Sequence, residues 1–335
     1  MRYTLTLVIL LFSVQFLKAQ SITLVEQDKP TSIRGLSVVN DKVAWVSGSK
    51  GHVALSKDGG QTWNWQQVKG YEQSDFRDIE AFSNQEAIIM SSGTPALILK
   101  TIDGGTNWKE VYRQDNKVYF LDAMAFANAK QGYTMGDPID GKFLLLETKD
   151  GGETWNKFST QPPALPGEAA FAASGTCLIA SRVSDEVTLV TGGSVARKIT
   201  VNGNKVNAEV MPIAQGKSSS GIFSYATGMA RQVFTGGNYE QNKRTDSVSC
   251  FWSISKQRTR PQLAKSQPAG YQSCIEYLQG LIFLSTGTPG SNLSVDGGYT
   301  WKQVDTGSYN VCQKAKSGKL VILAGDKGKI ALFKL

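Results

Sequence analysis

The sequence predicts an all-β fold, a seven-bladed β-propeller of four-stranded blades. Three observations predict it: a hairpin turn that recurs, a second strand–turn repeat of the same period, and an orphan strand near the start that completes the last blade. The turn occurs as Ser56-Lys57-Asp58-Gly59-Gly60-Gln61-Thr62-Trp63, Thr101-Ile102-Asp103-Gly104-Gly105-Thr106-Asn107-Trp108, Thr148-Lys149-Asp150-Gly151-Gly152-Glu153-Thr154-Trp155 and Ser294-Val295-Asp296-Gly297-Gly298-Tyr299-Thr300-Trp301. This is the Asp-box pattern. Its aspartates are 45, 47 and 146 residues apart, the last gap being close to three further periods. A fixed period of this size identifies a repeat architecture before any single residue is interpreted.

The chemistry of the turn is that of a hairpin. Asp bonds backbone groups two residues on, and the glycines accept positive φ without a Cβ clash. Asp58, Asp103, Asp150 and Asp296 are therefore expected to be structural, with each Trp covering its turn and packing between neighbouring sheets. The second repeat, an apolar strand ending in a Gly-containing turn, marks all seven blades in order. It reads Trp45-Val46-Ser47-Gly48, Met90-Ser91-Ser92-Gly93, Thr134-Met135-Gly136-Asp137, Val190-Thr191-Gly192-Gly193, Phe234-Thr235-Gly236-Gly237, Leu284-Ser285-Thr286-Gly287 and Leu323-Ala324-Gly325-Asp326. Blades one to three and six carry the Asp box. In blade four Val201-Asn202-Gly203-Asn204-Lys205 takes its place, Asn-Gly being a strong hairpin signal. Blade five has Ser253-Ile254-Ser255-Lys256-Gln257-Arg258 and no box. The seventh region holds three strands, at 309–315, 320–324 and 329–334, so residues 22–27 are expected to close the ring as its outer strand and remove two exposed sheet edges.

Residues 1–19 read as a secretory signal: Arg2, an apolar run at 5–12, and Leu17-Lys18-Ala19 before Gln20. The run is short for a membrane span, and no other transmembrane segment is evident. Residues 20–335 are expected to form one exported propeller domain, periplasmic or secreted, and a monomer. With 36 Lys and Arg against 28 Asp and Glu the chain is basic, at +8. It has no basic run or base-stacking motif, so nucleic acid is not an expected partner. The four cysteines, Cys177, Cys250, Cys274 and Cys312, form no Cys-x-x-Cys pair. Cys274 and Cys312 hold matching places in adjacent blades, as buried thiols or as a disulfide, which an export compartment permits.

Propeller topology gathers the connectors into first strands and the turns between second and third strands on one face, around the central channel. The Asp boxes fall on the other face. The ligand-binding candidates at that funnel are Arg34, Arg77, Asp78, Asp122, Asp137, Glu168, Arg197, Lys217, Asn238 and Tyr239, with Ser174, Ser219 and Asp326 nearby. They either bind a polar ligand or pair with one another. A single histidine, His52, and no Gly-x-Ser-x-Gly elbow argue against a His-centred triad. No metal or cofactor motif is present, and none is expected to be bound. Glycoside hydrolysis is the alternative to binding, because it needs only two suitably spaced carboxylates; Asp78, Asp122, Asp137 and Glu168 are the candidates. A sialidase would also need an arginine triad that begins in a Phe/Tyr-Arg-Ile-Pro motif, and Phe76-Arg77-Asp78-Ile79 lacks the proline.

The strings Phe76-Arg77-Asp78-Ile79-Glu80-Ala81-Phe82, Gly136-Asp137-Pro138-Ile139-Asp140-Gly141-Lys142-Phe143, Phe171-Ala172-Ala173-Ser174-Gly175-Thr176 and Gly236-Gly237-Asn238-Tyr239 extend the comparison beyond the turns. With seven blades and a leader, the chain resembles exported bacterial propellers related to the photosystem II stability/assembly factor family. Members of that group often go by the name oxidoreductase or glycosyl hydrolase with no demonstrated reaction. The resemblance implies a non-catalytic binding platform whose arginine-rich channel face holds a partner, a protein or a glycan of the cell envelope. Arg34, Arg77 and Arg197 are the positions that it would assign to that face.

Overall fold

The computed structural model describes residues 20–254 and 260–335. The expected leader at 1–19 lies outside the described residues, as does part of the blade-five turn. Seven antiparallel sheets follow one another in chain order around a central channel. Blade one comprises Ile33–Val38, Ala44–Gly48, His52–Ser56 and Asn64–Gln67, and blade two Phe76–Ala81, Ala87–Ser91, Ala96–Thr101 and Lys109–Gln114. Blade three comprises Leu121–Phe126, Gly132–Ile139, Lys142–Thr148 and Asn156–Lys157, and blade four Leu178–Ala180, Glu186–Val190, Arg197–Asn202 and Lys205–Val210. Blade six comprises Cys274–Gln279, Ile282–Gly287, Gly290–Ser294 and Lys302–Asp305.

Blade seven is assembled from both ends of the described chain. Val311–Lys314, Val321–Ala324 and Ile330–Lys334 supply three strands, and Ser21–Glu26 adds the outer one, with Ser21 opposite Lys334 and Leu24 opposite Ala331. The ring therefore closes as the orphan strand required. Blade five departs from the four-stranded expectation. Its strands Lys217–Thr227, Arg231–Asn238, Ser249–Ser253 and Gln262–Leu263 are extended inward by Gly192–Gly193 and Glu168–Ala169, giving six strands. The extension depends on two glycines at van der Waals limit. A Cβ on Gly192 would lie 2.5 Å from the Gly221 Cα and 2.4 Å from the Phe171 ring.

The four Asp-Gly-Gly turns share one bonding pattern. In blade one Ser56 Oγ donates to Asp58 Oδ1 at 2.9 Å, and Thr62 gives its N–H to Oδ1 at 3.0 Å and its hydroxyl to Oδ2 at 2.6 Å. Asp103, Asp150 and Asp296 make the equivalent bonds with Asn107, Thr154 and Thr300. The Thr154 hydroxyl and amide hold Asp150 down to about 2. The tryptophans bind the turn to the blade before it. Trp108 meets the fully buried Trp45 edge-on at 6.4 Å, and Trp301 Nε1 donates to Ser249 Oγ at 3.1 Å. Blade four replaces this device with a two-residue hairpin, Asn202 pairing Lys205. Its turn residues are Gly203 and Asn204 rather than Asn-Gly, because Gly203 takes the positive φ, +56°. All four cysteines are buried free thiols, and Cys274 Sγ donates to the Cys312 carbonyl at 3.2 Å. Among the described residues no helix is long and apolar enough to cross a membrane.

Candidate functional site

The channel is plugged. Between the short strand Glu168–Ala169 and the first strand of blade four, residues 170–176 cross it and bond to several blades at once. Arg34 of blade one donates to the Ala173 carbonyl at 3.3 Å, and Arg77 of blade two to the Ala172 carbonyl at 3.4 Å. Ser174 Oγ donates to the Ser273 carbonyl of blade six at 2.8 Å, and the Thr176 hydroxyl lies 2.6 Å from Ser224 Oγ of blade five. The small side chains of Ala172-Ala173-Ser174-Gly175 let a backbone fit inside the ring. Gly175, at φ +70°, sits on the Asp78 carboxylate: a Cβ there would lie 2.3 Å from Oδ1.

Above the plug is an open funnel of 440 Å³. Arg34, Arg77, Asp122, Tyr239 and Asp326 are among the residues that line it. Arg77 is paired with Asp75 at 2.7 Å, whereas Arg34 has no carboxylate within 4.0 Å among the described residues. Asp122 is 1% exposed, and the Ala172 amide near its sealed oxygens makes no well-formed hydrogen bond to them. Burial and the neighbouring Asp137 carboxylate drive it well above the usual range, against the pull of Arg77 and the Ala172 amide. A buried carboxyl is costly to ionise, and with both oxygens sealed from solvent Asp122 stands behind the funnel wall and is not open to a ligand. Asp326 is fixed by Ser32 Oγ at 2.5 Å and Asn310 Nδ2 at 3.0 Å.

The remaining candidates point elsewhere. Glu168 and Arg197 bind each other: Arg197 donates from Nε to Oε1 at 2.8 Å and from Nη2 to Oε2 at 2.5 Å, with both residues buried. Thr191 and the Leu165 amide complete the carboxylate's shell, and the Pro163 carbonyl accepts from the guanidinium. Asn238 caps its own turn, accepting the Glu240 and Gln241 amides at 2.9 Å. Asp137 accepts the Ala170 amide at 3.1 Å, outside the funnel lining, and burial raises it. Lys217 is exposed at the start of the first strand of blade five. His52 begins the third strand of blade one, with Nδ1 3.2 Å from the Ser49 carbonyl. Glu168, Arg197, Asn238 and Asp137 share the channel face by topology, but their side chains are taken by nearer partners.

Asp78 lies beneath the plug, 4% exposed, accepting the Met124 amide at 2.7 Å and the Ile79 amide at 2.8 Å. Burial outweighs both bonds and pushes it up to about 7. Its folded-state value is above the unfolded one, so the native state keeps a proton that the unfolded chain has released. Stability from this group accordingly falls as pH rises from about 4 to about 7 and is level beyond. Asp78→Asn should be less stable than wild type throughout, because its amide nitrogen faces a backbone N–H. Its stability should nevertheless decline less between pH 4 and 7. Urea unfolding midpoints at several pH values check this; parallel slopes for the two proteins would refute it.

Apart from Tyr239, sequence reasoning missed the aromatic wall of the funnel. Phe171 and Phe223 stack at 3.9 Å, Tyr271 meets Phe223 edge-on at 4.8 Å, and Tyr239 faces both Phe223 and Tyr271, at 6.2 and 6.5 Å. The four come from separate segments, and no local pattern joins them. The signal that was available is the Phe171–Thr176 string itself, whose small residues are those of a backbone crossing a confined space.

Comparison with known proteins adds to this geometry. Residues 16–118 match the family described as Photosynthesis system II assembly factor YCF48. The chain is 26% identical over 140 residues to the Photosystem II assembly lipoprotein Ycf48 of Synechococcus sp. (strain CC9902). That match covers 41% of this chain and spans 38% of the relative's length. Among solved structures, YCF48 bound to a D1 peptide superposes with a TM-score of 0.67 at 16% identity, over 96% of each chain. A catalytically inactive virginiamycin B lyase from Staphylococcus aureus, with quinupristin, superposes with a TM-score of 0.68 at 11% identity, covering 94% of this chain and 99% of that one. At these identities the structural likeness shows the propeller fold alone, which carries unlike functions.

Proposed function

We propose that this chain, a propeller related to the photosystem II assembly factors, is an exported, non-catalytic binding protein that holds a segment of a partner protein in the funnel. The observation that carries the reading is the arginine pair. Arg34 and Arg77 come from adjacent blades, are held across the channel by consecutive plug carbonyls, and line the cavity, with no carboxylate within 4.0 Å of Arg34 among the described residues and Asp326 feeling its charge from across the lining. Guanidinium groups fixed in this way suit a peptide's carboxylate or carbonyl oxygens. The wall of Phe223, Tyr239 and Tyr271 offers an apolar surface beside them. The related structure holding a D1 peptide supports a protein occupant ahead of a glycan. The four Asp boxes serve as staples on the opposite face, and the leader and the relative's description as a lipoprotein support an envelope location.

Hydrolysis is not favoured by the carboxylates. It needs two of them across an open cleft, whereas Asp78 is sealed under the plug, Glu168 is held by Arg197, and of the four candidates Asp122 lines the funnel. The test is capture from cell-envelope extract on immobilised residues 20–335, comparing wild type with Arg34→Ala/Arg77→Ala. A protein retained by wild type should be lost from the variant, whose melting temperature should stay within about 2 °C because both side chains are partly solvated. Equal retention by both proteins, or a glycan that raises the wild-type melting temperature where peptides do not, would overturn the reading.

A further inference from the structure

The face opposite the funnel holds a larger cavity, of 610 Å³, at the seam where the ring closes. Its lining comes from the Asp-Gly-Gly turn of blade one, from the first-to-second-strand turns of blades one, six and seven, and from residues 332–335. The volume is within the range of small-molecule sites. Leu278, Val321 and Phe333 give it an apolar floor, each less than 6% exposed. Lys314, Lys319 and Lys334 stand around that floor.

None of the three ammonium groups has a carboxylate within 4.0 Å among the described residues. Lys314 Nζ donates to the Leu278 carbonyl at 2.6 Å, which pins one charge at the edge of the apolar floor. One acidic side chain shares the lining, Asp41: it accepts the Leu320 and Lys319 amides, at 2.8 and 2.5 Å, and offsets part of the Lys319 and Lys314 charge. The balance is positive, and the cationic charges stand over a surface that repels water.

We propose that this seam cavity is a second binding site, for a single-chain amphipathic anion of the fatty-acid class, its carboxylate among the three lysines and its alkyl chain on Leu278, Val321 and Phe333. The site shares no lining residue with the funnel, so the proposal stands apart from the peptide-binding reading. It takes neither role from the Asp-box aspartates, whose oxygens are used within their own turns.

The test uses residues 20–335 and dodecanoate, below its micelle concentration, in isothermal titration calorimetry. Lys319→Glu/Lys334→Glu reverses two exposed charges and leaves the core untouched. Dodecanoate should bind wild type at one equivalent, and the double variant at least about tenfold more weakly, since charge reversal replaces attraction by repulsion at each site. Arg34→Ala/Arg77→Ala should bind as wild type does, and dodecanol should bind more weakly than dodecanoate. Failure of wild type to bind overturns the proposal. So does equal affinity in the lysine variant, loss of binding in the arginine variant, or equal binding of the alcohol.

Discussion

Replacing Arg197 by methionine is expected to cost about 3–5 kcal/mol of stability, because it leaves the Glu168 carboxylate buried without its counter-charge. Glu168 accepts two bonds from the guanidinium, one from the Thr191 hydroxyl and one from the Leu165 amide, in a site closed to solvent. Methionine approaches the length of arginine and fills most of the space, so the loss reports the orphaned charge and not a cavity. Against a total of about 5–15 kcal/mol for a typical domain, the change should be plain in urea unfolding. Glu168→Leu/Arg197→Met should recover part of it, since the uncompensated charge is gone; the Leu165 amide, the Thr191 hydroxyl and the Pro163 carbonyl then lack partners, which limits the recovery. A cost below about 1 kcal/mol for the single variant would mean that water reaches the pair.

Gly175→Ala should be nearly as damaging. The residue has φ +70°, and its new methyl group would have to occupy the position of the Asp78 carboxylate. That carboxylate cannot swing aside without abandoning the Met124 and Ile79 amides. A left-handed backbone costs an alanine about 1–2 kcal/mol, and overpacking adds about 1–3 kcal/mol. The expected sum of about 3 kcal/mol should lower the melting temperature by roughly 6 °C for a chain of this size. The displaced plug should also disturb the Arg34 and Arg77 contacts at Ala173 and Ala172, so loss of funnel binding should accompany the loss of stability. A variant that melts with wild type would mean that residues 170–176 do not fill the channel in solution.

The fold was legible because its signals are local and repeated. Each Asp-Gly-Gly turn needs only eight consecutive residues to satisfy its own bonds, and the seven strand–turn strings keep its period where the box has decayed. Even the closing strand could be found, by counting three strands where a blade needs four. The site was legible in part, for a related reason. Topology placed Arg34, Arg77, Asp122 and Tyr239 at the funnel because they sit at the channel ends of first strands or in second-to-third-strand turns. It placed Glu168, Arg197 and Asn238 there by the same rule, and left open whether such residues bind a ligand or pair with one another; Glu168 and Arg197 pair. Whether a side chain faces the cavity depends on what else reaches it. Glu168 and Arg197 are 29 residues apart and meet only because the inner strands Glu168–Ala169 and Gly192–Gly193 pair. The plug escaped notice on the same grounds. Its contacts run to blades one, two, five and six, so its role appears only once the whole ring exists.

The seam between Ser21–Glu26 and Ile330–Lys334 sets an order of events. Synthesis proceeds from the amino end, so Ser21–Glu26 must wait, with its hydrogen-bonding edge unsatisfied, until its partner some three hundred residues later has arrived. Six blades can stack as they emerge; the seventh cannot be completed one strand at a time. Final locking is then a single long-range step, slowed by the entropy of closing so long a loop. During that interval the nascent chain is an open arc with two adhesive ends, able to pair with another arc as readily as with itself. The pairing of these two strands makes the chain a natural candidate for circular permutation: a short linker joining Ile330–Lys334 to Ser21–Glu26, with new ends cut in an exposed turn, would convert the final locking into an ordinary hairpin.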